Sequence, residues 1–128
     1  MATDVVIELD NKPGELARVT AGISDAGVNL AAATCVGNGQ KAELHILVPH
    51  AEPVRRALAI TQTAITAERE VVVVEVKDDR PGTLAALARK VAEAGINIDL
   101  LYVATKSRVV FGSPDLEGLR AVLEGVTV

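Results

Sequence analysis

A chain of 128 residues is long enough for one ordinary domain or two small ones; with 49% apolar residues but no Trp, one Tyr and one Phe, its core must be built from Val, Leu, Ile and Ala. The formal charge of -4, the scatter of the basic residues and the near absence of aromatic side chains for base stacking argue against a nucleic-acid partner. One cysteine, Cys35, rules out an intrachain disulfide framework, while "MATDVVIELD" lacks the basic start and apolar run of a signal peptide and no run of about 18 apolar residues is present to span a bilayer. A cytoplasmic protein with no membrane partner is the expectation.

In chain order, "VVIEL" at residues 5–9 is a short β-branched strand that ends where Asp10, Asn11 and the Pro13-Gly14 pair signal a turn. Leu16, Val19, Ile23 and Ala26 then fall at steps of three and four, one stripe of a helix. Gly27 stops it by taking a left-handed conformation, with Val28 placed to pack back onto the last turn. "NLAAATCV" at residues 29–36, the turn signal "GNGQ" and the alternating "AELHILV" at residues 42–48 predict two antiparallel strands. "AEPVRRALAI" at residues 51–60 predicts a short helix with Val54, Ala57 and Leu58 inward, and "AITAE" at residues 64–68 a fourth strand.

The pattern then returns. "DNKPGELARVTAGISDAGVNL" at residues 10–30 is matched by "DDRPGTLAALARKVAEAGINI" at residues 78–98, with Asp10 over Asp78, Pro13 over Pro81, Gly14 over Gly82, Leu16 over Leu84, Gly27 over Gly95 and Asn29 over Asn97. A strand "VVVVEV" at residues 71–76 precedes the second copy, whose helix should bury Leu84, Leu87, Val91 and Ala94. A strand from Asn97 to Ala104, the turn "TKS" at residues 105–107 and the strand "RVVFG" at residues 108–112 follow. Ser113 is the expected cap and Pro114 the start of a helix to about Glu124 that buries Leu116, Leu119, Val122 and Leu123, leaving "VTV" for a last strand.

The predicted fold is α+β: two tandem ferredoxin-like βαββαβ units, residues 1–70 and a shorter 71–128, each an antiparallel sheet with its helices on one face, the two packed side by side. A unit of about 60 residues buries only roughly 60% of its unfolded surface and is marginal alone, and open sheet edges need cover. A homodimer or higher homo-oligomer is therefore expected.

The repeated polar positions suit one chemistry. The first amides of a helix lack intrahelical acceptors and the dipole is positive there, so the turn into Gly14 or Gly82 can receive a carboxylate, and glycine keeps a Cβ out of the way. Asn11 offers an amide beside that turn and Asp79 a carboxylate suited to an ammonium group, while Asn29 and Asn97 follow the helix ends. Together these are partners for the two ends of an α-amino acid. The alternative reading is ordinary turn chemistry, for which Pro-Gly and Asx residues are common and which duplication would preserve.

Strand, "D-x-x-P-G-x-L", helix, "A-G-[VI]-N-[LI]" and hairpin together resemble the ACT domain, a small ligand-sensing module of amino-acid metabolism, in two copies: complete in the first, abbreviated in the second. The resemblance implies amino acids bound where the first loop of one domain meets the second strand of its neighbour. By position, Asn11, Pro13, Gly14 and Asn29 match that site in the first unit, and Asp79, Pro81, Gly82 and Asn97 in the second, with Asp79 standing where the first copy has Asn. It also implies a non-enzymatic sensor or regulatory protein without a cofactor, with an enzyme of amino-acid metabolism as a possible partner. The alternative is a regulatory subunit or docking module for an amino-acid-biosynthetic enzyme that binds no ligand itself.

The remaining reactive residues do not converge. His45 and His50 join no motif with Cys35 or a carboxylate, so neither a catalytic nor a metal site is predicted. Cys35 is expected to pack, and the paired cysteines of a metal-chaperone use of this fold are absent. Asp78-Asp79 reads as a solvated pair, Glu68, Arg69 and Glu70 as a solvated junction with at most one weak ion pair, and Tyr102 and Phe111 as core or interface anchors.

Overall fold

A computed structural model describes residues 2–124. Six strands and four helices follow in the order β1 (Ala2–Asp10), α1 (Glu15–Asp25), β2 (Ala32–Asn38), β3 (Lys41–Val48), α2 (Glu52–Ile60), β4 (Ile65–Glu75), α3 (Thr83–Glu93), β5 (Leu100–Ala104), β6 (Arg108–Gly112) and α4 (Leu116–Leu123). The chain divides into two compact units, residues 2–69 and the residues from Glu70 onward. No helix among the described residues is long and apolar enough to cross a membrane.

In the first unit the strands lie in the order β2-β3-β1-β4, with β1–β3 and β2–β3 antiparallel. Alternation along the strands separates two faces. Val5, Ile7 and Leu9 of β1 and Ala42, Leu44, Ile46 and Val48 of β3 form one buried cluster with Val19 and Ile23 of α1 and Val54 and Leu58 of α2. Both helices therefore cover the same face, the ferredoxin-like arrangement. In the second unit the order is β4-β6-β5, again antiparallel, and Val74, Val76, Val109 and Phe111 pack against Leu87 and Val91 of α3 and Leu119 and Leu123 of α4. The strand predicted at "VTV" lies outside the described residues.

The helix ends follow the glycines. Gly27 and Gly95 sit at φ 78° and 74°. At each, the next amide reaches back across the last turn: Val28 N to Ile23 O, and Ile96 N to Val91 O, both at 3.3 Å, with Gly27 N to Ser24 O and Gly95 N to Ala92 O at 2.9 Å. This is the Schellman closure, and Val28 and Ile96 pack onto the cores as its apolar partner.

Several sequence expectations need correction. "AITAE" and "VVVVEV" are not two strands but the single strand β4, because nothing in "TAERE" breaks the extended backbone; Glu68, Arg69 and Glu70 lie inside it. Glu68 accepts from Arg55 at 2.8 Å and Glu70 meets Arg120 at 3.5 Å, so the expected junction with at most one ion pair is part of a strand that makes two ion pairs among the described residues, with both glutamates still exposed. β2 and β5 begin at Ala32 and Leu100, three residues after Asn29 and Asn97, since the helix closures leave a short irregular stretch. Leu16 and Leu84 are 44% and 41% exposed, and Ala26 and Ala94 are exposed as well. The phase of each helical stripe was right, but the core begins one turn later, at Val19 and Leu87. Cys35 is exposed on the edge strand β2 rather than packed, whereas Tyr102 and Phe111 are buried.

The cap of α4 also moves. Asp115, not Ser113, is the N-cap: its Oδ1 accepts from Gly118 N at 3.0 Å, while Ser113 Oγ accepts from Asp115 N at 3.1 Å and shapes the turn before it. Replacing Asp115 by Ala should cost about 1 kcal/mol, read as a lower urea midpoint at unchanged m, whereas Asp115→Asn should retain most of the stability.

Candidate functional site

The Pro-Gly turns place their glycines at the N-caps of α1 and α3, where Gly14 has φ 89° and Gly82 φ 94°. A Cβ at either would meet nothing within 4 Å, so the left-handed backbone, not crowding, selects glycine, and the space beside it is open. No side chain caps either helix, which leaves the amides of Leu16 and Ala17 in α1 and of Leu84 and Ala85 in α3 without intrahelical acceptors. Pro13 and Pro81 are exposed beside them.

The two helix starts differ in charge. The first turn of α1 already carries Glu15, whose carboxylate is gripped by Arg18 at 3.0 and 3.3 Å and held below its ordinary pKa by that hydrogen bond. Arg18 also donates to Thr63 Oγ1 at 3.1 Å, tying the helix to the segment after α2. The first turn of α3 has no acidic residue. There Thr83 Oγ1 donates to Asp78 O at 3.0 Å and Arg80 pairs with Asp78 at 3.1 Å, while Asp79 is exposed with no hydrogen bond or ion pair to another described residue. The positive end of α3 is thus free of a competing carboxylate in its own first turn.

Of the eight predicted positions, the structure groups Asn11, Pro13 and Gly14 at the start of α1 and Asp79, Pro81 and Gly82 at the start of α3. It does not bring Asn29 or Asn97 to them. Each asparagine is exposed beyond the far end of the same helix, and 11 residues of helix span roughly 16 Å. A small molecule held by one turn therefore cannot also touch the asparagine of the same unit.

Two features escaped the sequence reading. Asn11 donates from Nδ2 to Gly39 O at 3.0 Å, an attachment to the β2–β3 hairpin that spans 28 positions and that turn chemistry alone does not reveal. The second lies on the sheet face opposite the helices. Asp4, fully buried, meets His45 Nδ1 at 3.0 Å, and Glu43 meets His45 Nε2 at 2.7 Å. Alternation along β3 puts Glu43 and His45 on one face, but nothing local shows that Asp4 joins them. Among the described residues no group of three or more His, Cys, Asp or Glu is placed to hold a metal.

With the fold and these turns in place, comparison with known proteins supplies a family match for one part of the chain. Residues 71–124 match the ACT domain. Comparison with curated protein sequences gives no match. Among solved structures, a protein from Bacteroides thetaiotaomicron superposes with a TM-score of 0.84 at 25% identity, over 95% of this chain and 85% of that one. The aspartokinase alpha and beta subunits superpose at 0.69 with 19% identity, over 95% and 89% of the two chains. The ligand-free regulatory subunit of aspartate kinase from Thermus thermophilus superposes at 0.66 with 20% identity, over 94% and 89%. At these identities the aspartokinase likenesses establish the fold. The ACT match covers the second unit, including Asp79, Pro81, Gly82 and Asn97.

The His45 cluster generates a pH prediction. Burial alone would lower the imidazole pKa, but the hydrogen bonds to Asp4 and Glu43 outweigh it and raise the value above the ordinary one. A raised folded-state pKa stabilises fully below the unfolded value of about 6.5 and ceases to do so as pH rises through the folded value. The stability difference between the wild type and His45→Gln, measured by urea unfolding, should therefore be largest below about pH 6.5 and shrink as the pH is raised. A difference independent of pH would contradict this.

Proposed function

We propose that the chain is a non-enzymatic regulatory protein built of two ACT-like domains, residues 1–70 and 71–128, and that it binds a small amino acid. The observation that carries this reading is the uncapped N-terminus of α3, entered through Gly82 at φ 94° with no acidic residue in its first turn, inside the segment that matches the ACT domain. The amides of Leu84 and Ala85 take the ligand's carboxylate and Asp79 takes its ammonium group. Leu84, exposed in the same first turn, offers an apolar contact to its side chain.

Asn11, Pro13 and Gly14 form the corresponding turn of the first unit, where Glu15 makes the helix start less receptive to an anion and Asn11 has its Oδ1 left to offer to an ammonium group. Asn29 and Asn97, each a helix length away from its own turn, serve a ligand held by a neighbouring ACT-like domain. This division implies association, as a homodimer or higher homo-oligomer or with an enzyme of amino-acid metabolism. Regulation then follows from linkage: a ligand shared between domains favours the arrangement that completes its pocket by its differential affinity for that state.

A thermal-shift screen against the twenty amino acids tests the reading. A hundredfold excess of ligand over Kd stabilises the native state by about 2.7 kcal/mol, so one amino acid or a related group should raise the Tm. Asp79→Ala should abolish the shift and Asn97→Ala should weaken it; Asn11→Ala and Asn29→Ala should have smaller effects. A folded protein that responds to none of the twenty would instead be a docking module whose Pro-Gly turns are structural.

A further inference from the structure

The two repeated loops are attached to their hairpins differently. Ahead of α1, β1 stays paired with β3 as far as Asp10 opposite Lys41, and Asn11 N then donates to Gln40 O at 2.8 Å. Lys41 Nζ reaches Asp10 at 2.7 Å, and Asn11 Nδ2 reaches Gly39 O at 3.0 Å. Beneath the Asn11 side chain lies Gly37. A Cβ there would stand 2.7 Å from Asn11 Nδ2 and 2.9 Å from its Cγ and Oδ1. Gly37 is not among the glycines held at positive φ, so no backbone demand explains it, and the space taken by the Asn11 amide does.

Ahead of α3 the hairpin is shorter and turns at Thr105, Lys106 and Ser107, so that the last ladder pair is Glu75 with Arg108, followed by Val76 N to Ser107 O at 2.7 Å. From Lys77 to Pro81, no hydrogen bond or ion pair to the β5–β6 hairpin is found among the described residues. The contacts there are local, Arg80 with Asp78 and Thr83 with Asp78 and Arg80. The tip of that hairpin is closed by its own Arg108, which donates to Thr105 O at 2.9 Å and to Thr105 Oγ1 at 3.1 Å.

We infer that the repeat has divided its labour: Asn11 and Gly37 form a side-chain clasp that fixes the first loop to the β2–β3 hairpin, while the second loop, residues 77–81, has no such clasp and is free to change conformation. Asn11 is then a positioning residue. Its amide hydrogens serve the hairpin, and the strand edge at β2 and the turn into α1 move as one piece. The inference goes beyond the amino-acid reading and does not depend on it, since it concerns the unliganded chain.

Backbone hydrogen exchange on the full chain, followed residue by residue by NMR, tests it without any ligand. In the wild type, the amides of Asn11 and Lys41 should exchange more slowly than those of residues 77–80. Asn11→Ala and Gly37→Ala should each speed exchange at Asn11 and Lys41 by about three- to tenfold, the loss of roughly one net hydrogen bond. The double variant should be no faster than the faster single one, because both changes remove one interaction. Residues 77–80 should be unaffected. Should Gly37→Ala not fold, Asn11→Asp takes its place: it keeps the shape, loses the donor to Gly39 O, and should show the same acceleration. First-loop amides as fast as those of 77–80 in the wild type, multiplied effects in the double variant, or Asn11 variants that leave exchange unchanged would each overturn the clasp. A negative amino-acid screen would leave it standing.

Discussion

Gly14 and Gly82 lead into α1 and α3, and Gly27 and Gly95 lead out of them, all at φ between 74° and 94°. An L side chain at these four places would be strained, so the lengths of both helices are set by backbone chirality rather than by their apolar stripes. The rest of each unit depends on that constraint. The entering glycine leaves a row of amides without a cap, and the departing one turns the chain back toward the sheet through Val28 or Ile96, which join the core as they do so. Polar residues that the motif keeps together in sequence are thereby sent to opposite ends of a rigid rod.

Much of this was legible because it is local. Helix closure at glycine followed by an apolar residue, the hairpin at residues 37–40, the inward positions Val54, Ala57 and Leu58, and "RVVFG" as a strand all follow from neighbouring residues and their spacing. What was not legible depends on distance along the chain or on the extent of the core. Periodicity gives the phase of a helix face but not how far the sheet beneath it reaches, so Leu16 and Leu84 read as core and stand exposed. The run "TAEREVVVVEV" shows almost no break between "AITAE" and "VVVVEV", but its three charged residues read as a junction between two strands; an exposed strand tolerates them when each carboxylate finds an arginine on a helix.

The candidate site shows the same division. The glycine turns, with their uncapped amides, could be read from the repeat itself. The difference between the two copies could not, because it rests on pairs such as Asn11 with Gly39, Asp10 with Lys41 and Glu15 with Arg18, only the last of which is local. The Pro-Gly turn stands in both halves of the sequence while the hairpins behind the two turns differ. In the sequence Gly37 reads as part of the turn "GNGQ"; only its place in β2, without a positive φ, shows that a side chain from elsewhere lies close by.

Cys35 has a practical meaning beyond its failure to pack. It is the only thiol in the chain, it is exposed, and it sits on β2, the edge strand next to the hairpin that Asn11 holds. A thiol-reactive fluorophore or spin label therefore attaches at one address without any engineering, and its signal reports on the β2 edge of the sheet. The chain carries its own reporter for whatever covers or frees that edge.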